Sequence, residues 1–143
     1  AMRGAVIDVV VEADEPKLTQ LLAAALCDQM WHPEPNERVA AIVASCQLFS
    51  NGDITEMKDT MLGNLRCRLT DEDLLVRRSA VVASGTFTIP GSGPTILEMW
   101  KNDNSSDVRT QCAVILKNHK DETVRTAFLQ RQKLEHELDV LAS

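Results

Sequence analysis

The chain has 143 residues and a formal net charge of −6. Apolar residues make up 44% and charged residues 25%, the composition of a folded globular domain, which excludes low-hydrophobicity disorder. Aromatic residues make up only 3% and Tyr is absent, so an RNA-binding platform of stacked rings is disfavoured. Both halves are acidic, with 6 basic against 10 acidic groups up to residue 70 and 9 against 11 beyond it, which disfavours broad phosphate neutralisation.

In chain order, the alternation over Val6–Val11 is read as a short, fraying helix. Asp14-Glu15-Pro16 then predicts a helix start, because Asp caps free N–H groups and Pro is tolerated in a first turn. That helix runs to about Met30, and the two prolines of Trp31–Asn36 break it. A second helix spans Glu37 to Phe49 and ends at Ser50-Asn51-Gly52. Asp53-Ile54-Thr55-Glu56 reads as a capping box for a third, to about Leu69. Thr70–Asp73 repeats that acidic start for a helix to about Phe87. After a Pro/Gly turn, Pro94 opens a short helix through Trp100; Asp107–Asn118 follows, and Asp121 starts a final long helix. The fold class is therefore all-α. The uncharged stretch Ser79–Leu97 is interrupted by Pro90, Pro94 and three glycines, so no membrane span is expected. No secretory leader is evident at the N-terminus.

Little in the sequence points to chemistry. Cys27, Cys46, Cys67 and Cys112 are 19, 21 and 45 residues apart, without metal-ligand spacing, and are read as reduced thiols of an intracellular protein, nuclear or cytoplasmic. His32, His119 and His136 stand far apart without ligand partners at useful spacing. Gly91-Ser92-Gly93-Pro94 precedes a helix but lacks the Lys and the strand of a phosphate-binding loop, so it reads as a turn. No enzyme activity, metal or cofactor is expected.

The informative feature is an internal repeat. An acidic or hydroxyl residue, an aliphatic-Arg pair and a small residue recur in Asp73-Leu74-Leu75-Val76-Arg77-Arg78-Ser79-Ala80, in Ser105-Ser106-Asp107-Val108-Arg109-Thr110-Gln111-Cys112, and in Asp121-Glu122-Thr123-Val124-Arg125-Thr126-Ala127-Phe128. A weaker copy, with Glu replacing the aliphatic residue, is Glu34-Pro35-Asn36-Glu37-Arg38-Val39-Ala40-Ala41. The Arg-to-Arg offsets are 39, 32 and 16, so the last copy falls on the very next helix. The unit is thus a first helix, an acidic loop and a second helix beginning near the Arg. In the helix after Asp73, residues Val76, Ala80, Ala83 and Phe87 form the predicted inner face.

This pattern over roughly residues 15–128 resembles the HEAT repeat, and the text from Leu65 to Ala80 is most similar to repeats of condensin-type and adaptor scaffolds. The resemblance implies an α-α superhelix, a HEAT-like (armadillo-like) solenoid of about three helix pairs plus a long C-terminal helix. The whole chain, 1–143, is expected to be one domain, with repeats near 15–50, 53–87 and 94–118 and a C-terminal helix over 121–142. Three repeats with an irregular last copy are near the minimum for stability, which suits a fragment of a longer solenoid. The resemblance further implies that Arg77, Arg109 and Arg125 form an inter-repeat ladder with loop acids, Asp73, Asp107 (in place of Ser105) and Asp121. In such a solenoid the second helices line the concave side. Helical projection then places Val39, Ile42, Cys46, Arg78, Val81, Gly85, Thr110, Ala113 and Lys117 across a groove. The function expected is a non-catalytic scaffold that binds a protein or peptide partner in that groove. The alternative is a nucleic-acid-associated module of the condensin-like or DNA-repair type, which the acidic charge disfavours. The final helix reads as a solenoid cap, or as a surface for assembly with a partner.

Overall fold

The computed structural model describes residues 16–51 and 54–142. The helix read over 6–11, the cap at Asp14-Glu15 and the residues Gly52 and Asp53 lie outside the described residues. All regular structure among the described residues is helical. The chain divides into two compact units at Pro90/Gly91.

The first unit contains α1 (Pro16–Gln29), α2 (Pro35–Asn51), a single 3-10 turn (Thr55–Met57), α3 (Lys58–Arg68) and α4 (Leu74–Ala83). Here α1 packs on α2, and α3 packs on α4. Across these two hairpins α1 meets α3 and α2 meets α4. The pairing follows from the residues on the facing stripes. Ala41, Ala44 and Ser45 on α2 and Ala80 and Ala83 on α4 are buried and small, which lets the two helices approach closely. Larger side chains, Met30, Leu48, Met61, Leu65 and Leu69, fill the interior. The buried Ser45 hydroxyl donates to the carbonyl of Ala41 at 2.7 Å, so no polar atom of that side chain is left unpaired. Phe49 and Phe87 close one end of the unit, ring centroids 4.3 Å apart and tilted by 51°.

Helix α3 begins at Lys58, after the 3-10 turn, and not at the expected capping box, and the helix expected to open at Pro94 begins at Ser92. Two other boundaries differ from the sequence expectation for plain physical reasons. Pro35 does not end the break but opens α2, since a first-turn residue needs no intrahelical N–H bond. Helix α4 stops at Ala83, four residues before Phe87. The Ser84 hydroxyl turns back onto the Val81 carbonyl, and Ser84-Gly85-Thr86 form a turn instead of continuing the helix. Phe87 still donates its N–H to the Ala83 carbonyl at 2.9 Å and remains in the core.

The second unit contains α5 (Ser92–Asn102), α6 (Ser106–Lys117) and α7 (Glu122–Ala142), each packed against the other two. Ile96, Val108, Cys112, Leu116 and Phe128 are fully buried, and Trp100 meets the Phe128 ring edge-on at 4.6 Å. The Gly91-Ser92-Gly93-Pro94 turn is a packing device. Gly91 takes a left-handed φ of 74°, and Gly93 is buried where a Cβ would lie 2.5 Å from a methyl of Val124. Beyond Phe128, α7 carries no buried residue among those described.

Candidate functional site

The four Arg-bearing segments fold into one recurring helix entry. In each, the guanidinium reaches back to the carbonyl oxygen six residues earlier. Arg38 Nη1 donates to the carbonyls of His32 (2.7 Å) and Pro33 (3.0 Å). Arg77 Nη1 donates to those of Asp71 and Glu72, both at 3.0 Å. Arg109 donates to the carbonyl of Asp103, and Arg125 to that of His119 at 2.7 Å. The side chain at that same sixth position accepts the N–H two residues on. His32 Nδ1 accepts from Glu34, Asp71 from Asp73, Asp103 from Ser105 and His119 Nδ1 from Asp121, at 2.9–3.0 Å. The next acceptor caps the helix. Asp73 accepts from Leu75 and Val76, Ser105 from Val108, and Asp121 from Thr123 and Val124. Arg38, the weakest copy in sequence, therefore makes the same turn as the other three.

This geometry relocates the expected ladder. Asp73 and Asp121 spend their carboxylates on their own helix N-termini, and Asp107 is an exposed residue in the first turn of α6. An ion pair between Arg38 and Asp71 joins the two hairpins of the first unit. Asp71 Oδ2 accepts from Arg38 Nε (3.0 Å) and Arg68 Nη1 (2.8 Å), while Oδ1 accepts from Arg38 Nη2 (3.0 Å) and the Asp73 N–H (2.9 Å). The Arg38 and Asp71 side chains are 6% and 2% exposed, so this bidentate pair is removed from water. Arg68 also lies over the ring of Trp31, 4.3 Å from its centroid, and the Trp31 indole N–H donates to Asn64 Oδ1 at 3.0 Å. Above the cluster is an open hollow of about 520 Å³ lined by Trp31, His32, Cys67, Arg68, Thr70 and Glu72, among others. The exposed Cys67 thiol opens onto it, while the Nδ1 of His32 is engaged by the Glu34 N–H.

The predicted groove residues separate into three groups. Arg78, Gly85, Thr110 and Lys117 are exposed, and Val39, Cys46 and Ala113 are half-buried. Ile42 and Val81 are buried, 1% and 0% exposed, on the helices α2 and α4 that pack together. They belong to the core and cannot meet a partner. Each lies four residues after its Arg, and α2 and α4 each pack on two neighbouring helices, so this stripe is buried as well as the one expected to face inward. The exposed apolar position is five residues after three of the four Arg residues: Val43 on α2, Val82 on α4 and, in the second unit, Val114 on α6, at 58%, 45% and 51% exposure; after Arg125 that position is Gln130.

Burial raises the thiols of Cys46 to about 11 and Cys112 to about 12, and pushes up that of Cys27, which suits packing rather than nucleophilic work at neutral pH. Among the described residues no group of three or more His, Cys, Asp or Glu could hold a metal ion, and no helix is long and apolar enough to cross a membrane. Family models, curated proteins and solved structures contain no match to the chain.

Proposed function

We propose that the protein is a non-catalytic, HEAT-like helical-repeat scaffold whose second helices present a surface to a peptide or a partner helix. The observation that carries this reading is the valine five residues after the repeat arginine, which is solvent-exposed wherever it occurs. Val43 and Val82 stand on two helices packed side by side, with the exposed Arg78 on the same face of α4 as Val82. An apolar strip with a cation beside it suits an amphipathic segment bearing some acidic residues. The hairpin-on-hairpin packing of the first unit, α1 with α3 and α2 with α4, supports the repeat reading, as do the four matching helix entries.

A displayed library of random peptides panned against the chain tests the proposal. Enriched sequences should carry apolar residues at helical or alternating spacing with acidic neighbours. Val43→Asp with Val82→Asp should abolish their binding while leaving the unfolding curve unchanged, since both side chains are exposed. Absence of enrichment, or binding that survives the double substitution, would sink the reading.

A further inference from the structure

The C-terminal half of α7 leaves Leu134, Leu138, Val140 and Leu141 exposed. Val124 and Phe128 face the unit's core. About a quarter-turn away, Ala127, Arg131, Leu134, Leu138 and Leu141 follow one another at spacings of four, three, four and three residues. That is the spacing of a coiled-coil seam, and its leucines are 46%, 54% and 82% exposed. A helix segment with no buried side chain is only marginally stable in water, so a covering helix would stabilise it.

The charges indicate what covers it. Before Leu134 the helix carries Arg125, Arg131 and Lys133 against one acid, Glu122; after it come Glu135, Glu137 and Asp139 with no Lys or Arg. The acids therefore crowd toward the negative pole of the helix dipole, and the last turn holds no basic residue. A second α7 lying antiparallel brings its cationic half and its positive pole against that acidic half. With the two stripes aligned about Leu134, it also sets Arg131 level with the partner's Glu137. A parallel pair would stack Arg131 on itself and acid on acid. The in-helix pair of Arg131 with Glu135, 3.1 Å, is half-exposed and exchanges readily for an intermolecular one.

We propose that α7 is a self-association element through which two copies of this chain pair antiparallel along the Ala127–Leu141 stripe.

Sedimentation velocity of the full chain from micromolar to millimolar concentration tests it. The wild type should show a reversible monomer–dimer equilibrium. Leu138→Lys and Leu134→Lys should each raise the dissociation constant by at least about tenfold, with the unfolding curve unchanged at concentrations low enough for both proteins to be monomeric. Arg131→Glu should weaken the dimer, and the double variant Arg131→Glu with Glu137→Arg should restore it. A wild type that stays monomeric throughout overturns the proposal. So does a dimer indifferent to Leu138→Lys, which would lie on another surface. A double variant no tighter than Arg131→Glu overturns the antiparallel pairing.

Discussion

Asp71 ties the loop before α4 to α2 and α3. One carboxylate accepts from two guanidinium groups and a backbone N–H, and its side chain is 2% exposed. Such an arrangement contributes little compared with an apolar core of the same volume, yet removing one member strands the others in a poorly hydrated place. Asp71→Asn should therefore cost about 3–5 kcal/mol in denaturant unfolding, because Arg38 and Arg68 would stay cationic without their counter-charge. The adjacent Glu72→Gln, at an exposed position, should shift stability by less than about 0.5 kcal/mol. Equal effects for the two substitutions would mean that water reaches the cluster and screens it.

At the scale of elements, the helices were legible, and three of their starts to the residue, because punctuation in this chain is local; the starts expected at Asp53–Glu56 and at Pro94 fall instead at Lys58 and Ser92. Asp73, Ser105 and Asp121 cap the helices they precede, as their residue types demand. The Arg role was not legible, because backbone carbonyls leave no mark in a sequence. What could have revealed it is the residue six before each Arg, always His or Asp, two side chains able to accept the same backbone N–H. The groove was misread at Ile42 and Val81, because a sequence does not show that α2 and α4 each bury a second stripe against a second neighbour. The glycines around Ser92 were legible as a turn, but not as a contact with a helix thirty residues on. That contact is open to direct test. A methyl at Gly93 would meet both γ-carbons of Val124, at 2.5 and 3.3 Å, and a β-branched side chain has few rotamers to escape into. Gly93→Ala should destabilise by about 1–3 kcal/mol, and Gly93→Ala with Val124→Ala should recover part of that loss. If the single substitution is neutral in thermal unfolding, the start of α5 and α7 are not packed as closely as these distances require.

For the molecule as a whole, the cysteines give each unit its own reporter. Cys27 and Cys46 belong to the first unit and Cys112 to the second, and burial raises all three thiols, Cys46 to about 11 and Cys112 to about 12, from an ordinary value of 9.0. A thiol whose folded value is raised favours the folded state fully below its unfolded value. That contribution is lost as pH rises from about 9 through the folded value, because the unfolded chain gives up its proton first. Unfolding free energy of the wild type and Cys112→Ala should therefore run parallel below pH 9, and the wild type should fall more steeply between 9 and 12. Curves that stay parallel up to 11 would mean that Cys112 is hydrated. Under native, mildly alkaline conditions a thiol reagent should label the exposed Cys67 first. The order in which Cys112 and the pair Cys27 and Cys46 then become reactive, as denaturant is raised, reports how each unit opens. Simultaneous labelling would show that the two units unfold in one cooperative step; separate labelling would give each its own free energy.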